Sequence, residues 1–408
     1  MRARLVFVEQ FYYPEGWGGA ELPRDLTTYL ATRGFDVEVI CGADQYVPAQ
    51  DDVANPASVG VHIRRIPSIG GGPRRLRLLR QAWFSLALLP LLLLGRRAQL
   101  YLTQTNPPGA VVLAGIAARL RRTPLIIIAM DVYPEVVAAY GMVRADGWLW
   151  RLLRSLFRWS YRSATRVVAL GPVMAERLRS KGVEPGRIVT CSNWSTGAAG
   201  IVRGNDNGLR SEWQLQGCFV LLYSGNLGVG HEFETLLEGI ARARQTVPNL
   251  RLVVIGRGSR AQEVRALIEA LHLTDIVRMA DFLPASRLPE SLGLADVALV
   301  TLRTGFEGLM VPSKVLSYMA RGLPILYVGP ASDIDVYLDA CGCGMAVRGG
   351  DAIGVQRAVL ALHADPAKLT SMGDAGRRYY DQSLAREHGL AHYQSIIQAC
   401  LAERRGAP

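Results

Sequence analysis

Short apolar runs alternate along the chain with longer stretches whose apolar positions recur at helical spacing. Runs at Arg4–Glu9, Asp36–Cys41, Leu100–Gln104, Pro124–Met130 and Arg166–Leu170 read as strands, and a helix is predicted over Ala20–Arg33, closed by Gly34. Around Ser195–Gly217 the character changes to small, polar and glycine-rich residues, as in a linker. The alternation then restarts with strands at Cys218–Ser224, Leu250–Ile255, Ile276–Ala280, Asp296–Thr301 and Pro324–Val328. This pattern predicts an α/β protein with two doubly wound, Rossmann-like domains, each a parallel sheet covered on both faces. The boundaries read as residues 1–197, a linker over 198–217, a second domain over 218–383, and a final helix within 384–408 long enough to cross back to the first domain.

Composition narrows the class. Of 408 residues, 50% are hydrophobic and 20% charged, a globular balance. The net charge of +11 favours partners that carry phosphate: nucleotides, nucleic acid or an anionic membrane. Nearly all the basic residues are arginine, with lysine only at Lys181, Lys314 and Lys368. The six cysteines form no CxxC pair and no disulfide framework, which fits reduced thiols in a cytoplasm. Cys341 and Cys343 find no histidine cluster, so no metal site is expected there. Residues Met1–Val8 do not read as a signal peptide, and no apolar run reaches the ~20 residues needed to span a bilayer.

In open α/β sheets ligands bind at the carboxyl ends of strands. Five loops there carry polar or glycine-rich chemistry. Gly16, Gly18 and Gly19 lie between the first strand and its helix, where backbone N–H groups can approach an anion; a plain strand-to-helix turn is the other reading. Asp131 follows a very apolar strand, either to bind a sugar hydroxyl or to cap the next helix. Gly225, Asn226, Gly228, Gly230 and His231 follow the second domain's first strand, and a lone histidine there is more often structural than catalytic. Arg257 sits between Gly256 and Gly258. Last, Pro312 reads as the entry to a helix running to Ala320, with Ser313 and Lys314 in its first turn, where free N–H groups and the Lys314 charge suit a diphosphate. Asp333-Ile-Asp335 mimics a metal-binding DxD but reads better as the acidic opening of a helix, and no metal is expected.

These segments, taken in order, resemble the retaining glycosyltransferases of family 4, also called group 1, and most closely those that build bacterial surface polysaccharides of the colanic-acid and O-antigen type. The resemblance rests on FYYPEGWGGAELPRDL at Phe11–Leu26, TQTNPPG at Thr103–Gly109, DVYPE at Asp131–Glu135, ERLRSKGVEPGRIVTCSNW at Glu176–Trp194, LLYSGNLG at Leu221–Gly228, VVIGRG at Val253–Gly258 and VPSKVLSYMARGLPIL at Val311–Leu326. It implies the GT-B fold, with two Rossmann-like domains facing a cleft. It also implies a nucleoside-diphosphate sugar as co-substrate, no separate cofactor, and transfer with retention to a polyprenyl-linked or other saccharide acceptor. Gly16, Gly18 and Gly19 would meet the donor phosphates and acceptor, Asp131 the transferred sugar, and Asn226 and His231 the diphosphate. The edge ending at Leu283 would meet the base, and Pro312, Ser313 and Ser317 the diphosphate and ribose.

The chain departs from the family where charge matters. Many relatives carry an Arg and a Lys where this chain has Asn226 and His231. Many also carry two glutamates where it has Leu309 and Ser317, leaving Glu307 as the substitute sugar carboxylate. Lys314 and Arg257 must then supply the positive charge. A sugar-nucleotide epimerase of the same fold, or a transferase-like partner subunit with impaired catalysis, are the alternatives. Nucleic-acid binding is not expected, since no recognition motif accompanies the arginines. The arginine-rich stretch Val61–Leu100, with its leucine-rich core Ala82–Leu94, reads either as a buried helix or as a membrane-interfacial one. Arg144–Arg166 adds a second basic stretch interleaved with Trp148, Trp150 and Trp159. The expected location is cytoplasmic, with a peripheral place on the inner face of the cell membrane as the interfacial alternative.

Overall fold

The structure, a computed structural model, describes residues 2–13, 18–43, 55–67, 77–144, 147–195 and 207–406. The chain forms two compact units. One comprises Met1–Thr196, Gly308–Met310 and Arg386–Pro408, the other Gly197–Glu307 and Val311–Ala385.

The first unit holds strands β1 (Arg4–Val8), β2 (Asp36–Gly42), β3 (His62–Ile66), β4 (Leu100–Gln104), β5 (Leu125–Ala129), β6 (Arg166–Ala169) and β7 (Ile188–Thr190). They form one parallel sheet in the order β3-β2-β1-β4-β5-β6-β7. Around it lie helices α1 (Gly18–Thr32), α2 (Arg77–Leu94), α3 (Pro108–Arg121), α4 (Glu135–Ala139), α5 (Trp148–Ser163) and α6 (Pro172–Ser180). Central strands β4 and β5 are buried at every position, because helices cover both faces of a parallel sheet.

The second unit holds β8 (Phe219–Ser224), β9 (Leu250–Ile255), β10 (Val277–Ala280), β11 (Val297–Thr301), β12 (Ile325–Val328) and β13 (Gly344–Val347), ordered β10-β9-β8-β11-β12-β13. Its helices are α7 (Gly208–Glu212), α8 (Glu234–Ala243), α9 (Ala261–Ala270), α10 (Leu288–Gly293), α11 (Lys314–Met319), α12 (Asp333–Cys341), α13 (Ala352–Ala364) and α14 (Pro366–Tyr379). A π-helical turn at Tyr380–Leu384 precedes the last helix, α15 (Arg386–Gly406). Helix α15 is part of the first unit, where Tyr393, Ile397 and Cys400 share a core with Leu5, Leu26 and Leu30. Arg386 donates to Asp25 at 2.7 Å and Tyr29 to Gln394 at 2.9 Å.

Three strands lie outside the sequence expectation: β3, β7 and β13. Each is at a sheet edge and only partly buried, so none needs a continuous apolar run. The expected linker also needs correction. Its residues 196–206 lie outside the described residues, but Gly208–Glu212 is helix α7, capped by the Asn207 side chain, which accepts from Arg210 N–H at 3.1 Å.

The second sheet closes on a backbone contact between two loops. Gly225 (φ 146°) follows β8 and Gly256 (φ 156°) follows β9. A Cβ at Gly256 would stand 1.9 Å from the Gly225 carbonyl oxygen, and one at Gly258 2.1 Å from that of Leu227. Only glycine meets both the conformation and the space. Gly256→Ala should therefore destabilise the protein by at least about 2 kcal/mol in urea unfolding. The control is Gly34→Ala, at φ 89° with open space around it, which should cost only about 1 kcal/mol.

Candidate functional site

The interlocked loops carry Asn226, His231 and Arg257. Gly225 N–H donates to the Ile255 carbonyl at 2.9 Å, Leu227 N–H to Arg257 at 2.7 Å, and Arg260 N–H to Leu227 at 3.0 Å. Helix α11 is stapled to the end of β8 by Tyr318. Its hydroxyl accepts from Ser224 N–H at 3.0 Å and lies 3.2 Å from the Ser224 carbonyl oxygen.

That staple places Lys314, four residues earlier and so on the same helix face, directly against the loop. Its Nζ is buried, has no hydrogen-bond partner among the described residues, and lies 3.5 Å from the centroid of the Tyr223 ring. A Cβ on Gly225 would be 3.1 Å from both Cε and Nζ. Burial pushes the Lys314 pKa well below the ordinary lysine value. The other two lysines differ. Lys181 is also buried, but its ammonium pairs with Glu135 of the first unit. Lys368 is exposed at the start of α14.

His231 is a core histidine. Its Nδ1 lies 2.9 Å from the Thr301 carbonyl, which can only accept, so the ring carries its proton there. Burial, aided by the Lys314 charge, brings its pKa down to about 3, and the ring stands edge-on to Tyr223 at 5.8 Å. It supplies no cation near neutral pH. Asn226 is exposed, and its backbone carbonyl accepts from the Tyr223 hydroxyl at 2.7 Å. Arg257 is exposed and paired with Asp281. Leu283 lies just past β10, beside the half-exposed Phe282.

Helix α11 begins at Lys314, so the expected opening at Pro312 moves by two residues. Pro312 is buried before the helix, and the exposed Ser313 makes no side-chain cap. Over six residues the helix dipole is small, which leaves Lys314 as the deciding group. The Ser317 carbonyl accepts from Arg321 at 3.0 Å. Two arginines that the sequence reading passed over lie beside this loop. Arg303, just after β11, donates its backbone N–H to the Gly230 carbonyl at 2.9 Å and places its guanidinium 4.0 Å from Glu234, while buried Arg260 donates to the His231 carbonyl at 2.6 Å and pairs with Glu234 and Glu263. Their position after strand ends was the available signal.

In the first unit, Asp131 follows β5, and its backbone N–H donates to Thr105 Oγ1 at 3.0 Å. It does not cap α4, whose N-cap is Pro134. Its carboxyl is desolvated, which raises its pKa to about 6. Gly308–Met310 also belongs to this unit: Met310 bridges to Asp131, and the Leu309 carbonyl accepts from Val132 N–H at 2.8 Å. Leu309 is buried. Glu307, in the second unit, accepts from Gly305 N–H at 2.7 Å. Gly18 and Gly19 open α1, and Gly16 lies outside the described residues. Asp333 and Asp335 open α12, where Asp335 completes a capping box with Ser332.

Comparisons with known proteins agree along the chain. Residues 18–194 match the glycosyl transferase 4-like domain, and residues 189–379 match the glycosyl transferases group 1 domain. The chain is 28% identical over 316 residues to the probable glycosyltransferase WbjE of Pseudomonas aeruginosa, covering 76% of this chain and 77% of that one. It is 30% identical over 166 residues to the putative colanic acid biosynthesis glycosyltransferase WcaL of Escherichia coli, covering 40% of this chain and 41% of that one. Among solved structures, Anabaena Alr3699/HepE in complex with UDP superposes with a TM-score of 0.74 at 14% identity, over 98% of this chain and 100% of that one. WaaG, a glycosyltransferase involved in lipopolysaccharide biosynthesis, gives 0.68 at 16%, over 96% and 99%. The fold is thus of the GT-B type.

Asp131 sets a pH dependence. Its folded pKa of about 6 exceeds the ordinary 3.8, so its stabilising contribution is full below the lower value and is lost as pH rises through the higher. Asp131→Asn should be more stable than wild type at pH 8 by about 1–3 kcal/mol. In urea titrations the two should converge as pH falls towards the ordinary aspartate value.

Proposed function

Because the chain belongs to the glycosyltransferases that join a 4-like domain to a group 1 domain, we propose that it moves a hexosyl unit from a nucleoside-diphosphate sugar to a polyprenyl-linked saccharide, with retention of configuration, in surface polysaccharide biosynthesis. The observation that carries this reading is the buried Lys314 amine beside the Gly225 loop, which has no hydrogen-bond partner among the described residues. An amine without an acceptor in a desolvated place is costly, and a diphosphate would relieve that cost by pairing with it. As the glycosidic bond breaks, the departing diphosphate gains charge, and a cation fixed in a low-dielectric setting stabilises it more than water would.

Other residues take supporting parts. Arg257 can exchange Asp281 for a phosphate oxygen. Asp131 is assigned a hydroxyl of the transferred sugar, as donor of a hydrogen bond when protonated and as acceptor when ionised. Glu307 is assigned as the second carboxylate, to the transferred sugar. The backbone N–H groups of Gly18 and Gly19 are assigned to phosphate or acceptor. Leu283 is assigned to the base and Ser313 and Ser317 to the ribose and phosphate edge. The UDP and UDP-glucose held by the Anabaena protein make a UDP-sugar the first donor to try. A lipid-linked acceptor would place the reaction on the cytoplasmic face of the inner membrane.

Lys314→Met tests the assignment, since it keeps the aliphatic stem and removes the charge. In the absence of ligand it should melt at the wild-type temperature or above it, because a buried unpaired amine is gone. It should lose the thermal shift produced by a UDP-, GDP- or ADP-sugar, and its turnover should fall by roughly 10²–10³-fold. An unchanged rate would overturn the role of Lys314. Sugar-nucleotide conversion without acceptor would replace transfer by epimerisation.

A further inference from the structure

Helices α2 and α5 both pack against α3 in the first unit. Each buries one face and leaves a second, apolar face in solvent. On α2, Phe84, Leu88 and Leu92 are buried, while Leu79, Trp83, Leu86 and Leu94 are exposed at helical spacing, Leu86 at 71% and Leu94 at 87%. The choice between a buried and an interfacial Ala82–Leu94 therefore resolves into one helix with both faces.

Helix α5 divides into three sectors at about 100° per residue. Phe157, Ser160 and Tyr161 face inward. Trp148, Leu149, Leu152, Leu156 and Trp159 form an exposed apolar arc, with Trp148 at 72%. Arg151, Arg154, Arg158 and Arg162 form an exposed arc beside it. No Asp or Glu occurs from residue 53 to residue 130, nor from residue 147 to residue 175, so none of the three helices contains a carboxylate.

We propose that the exposed stripes of α2 and α5, with the α5 arginines, form a surface that docks the protein on an anionic phospholipid bilayer. Arginine beside tryptophan and leucine is the composition that seats at the boundary between headgroups and acyl chains: the guanidinium groups meet lipid phosphates while the apolar arc leaves water. No described helix is long and apolar enough to cross a membrane, so the helices lie in the interface plane. Other occupants fit less well. A nucleic acid would pair with the arginines but leave both leucine stripes in water. A second copy joined through the same face would set arginine against arginine. The surface stands on exposure and charge alone, independently of the transferase reading.

The test uses the full-length protein and sucrose-loaded vesicles, phosphatidylglycerol with phosphatidylcholine against phosphatidylcholine alone. Wild type should sediment with the anionic vesicles at low salt, with tryptophan emission shifting to the blue, and much less with the neutral ones. The double variants Leu152→Glu/Leu156→Glu and Arg151→Glu/Arg158→Glu change only exposed side chains. Each should keep the wild-type melting temperature yet bind anionic vesicles roughly tenfold or more weakly. Wild type that ignores anionic vesicles, or both variants binding as wild type does, would overturn the proposal. So would tighter binding to single-stranded RNA than to vesicles, or a dimer in sedimentation that Leu152→Glu/Leu156→Glu abolishes. Donor-induced thermal shifts are read separately, so failure here leaves the nucleotide-sugar reading standing, and the reverse.

Discussion

Gly225 is the residue on which the second unit's chemistry turns. Its carbonyl is pressed against Gly256, fixing the loop after β8 on the loop after β9. Its Cα leaves room for the Lys314 methylene and amine, which any side chain at 225 would displace. Its own φ of 146° is open to glycine and costly to other residues. One position thus joins two strand ends and sets the place of a charge. The Tyr318 staple to Ser224 holds α11 at the same point, so packing positions the lysine.

The three lysines show what that positioning does. Lys181 is buried beside Glu135, and the pair neutralises itself within the first unit. Lys368 stays in solvent. The Lys314 amine is buried against the face of Tyr223 and beside Gly225, and its affinity for a proton falls. In the proposed role a diphosphate supplies that amine with an acceptor. His231 sits close by and is held neutral, partly by the charge of Lys314, so the two groups do not compete for the same anion.

Much of the fold was legible in the sequence because central parallel strands are covered on both faces and so run largely apolar. Leu100–Gln104 and Leu250–Ile255 were readable to the residue for that reason. Edge strands were not: His62–Ile66 is basic and largely exposed, and three-residue Ile188–Thr190 has no pattern to detect. Lys314 was legible as an oddity in an arginine-rich chain, but its burial was not, because nothing local reveals that Tyr223 and Gly225 close over it. Arg260 was missed for the same reason, since the approach of its guanidinium to the His231 carbonyl depends on pairing between distant strands. His231 shows the opposite case, where a motif position invites a ligand role and the tertiary environment makes a core residue of it.

The central claim is that burial weakens the hold of Lys314 on its proton and that a diphosphate paired with the amine restores it. Calorimetry of nucleoside-diphosphate sugar binding, repeated at alkaline pH in buffers of differing ionisation enthalpy, reads that proton directly. The account predicts a buffer-dependent heat corresponding to net proton uptake, present in wild type and absent from Lys314→Met. Binding heats that are independent of buffer, or an uptake that survives the substitution, would contradict it.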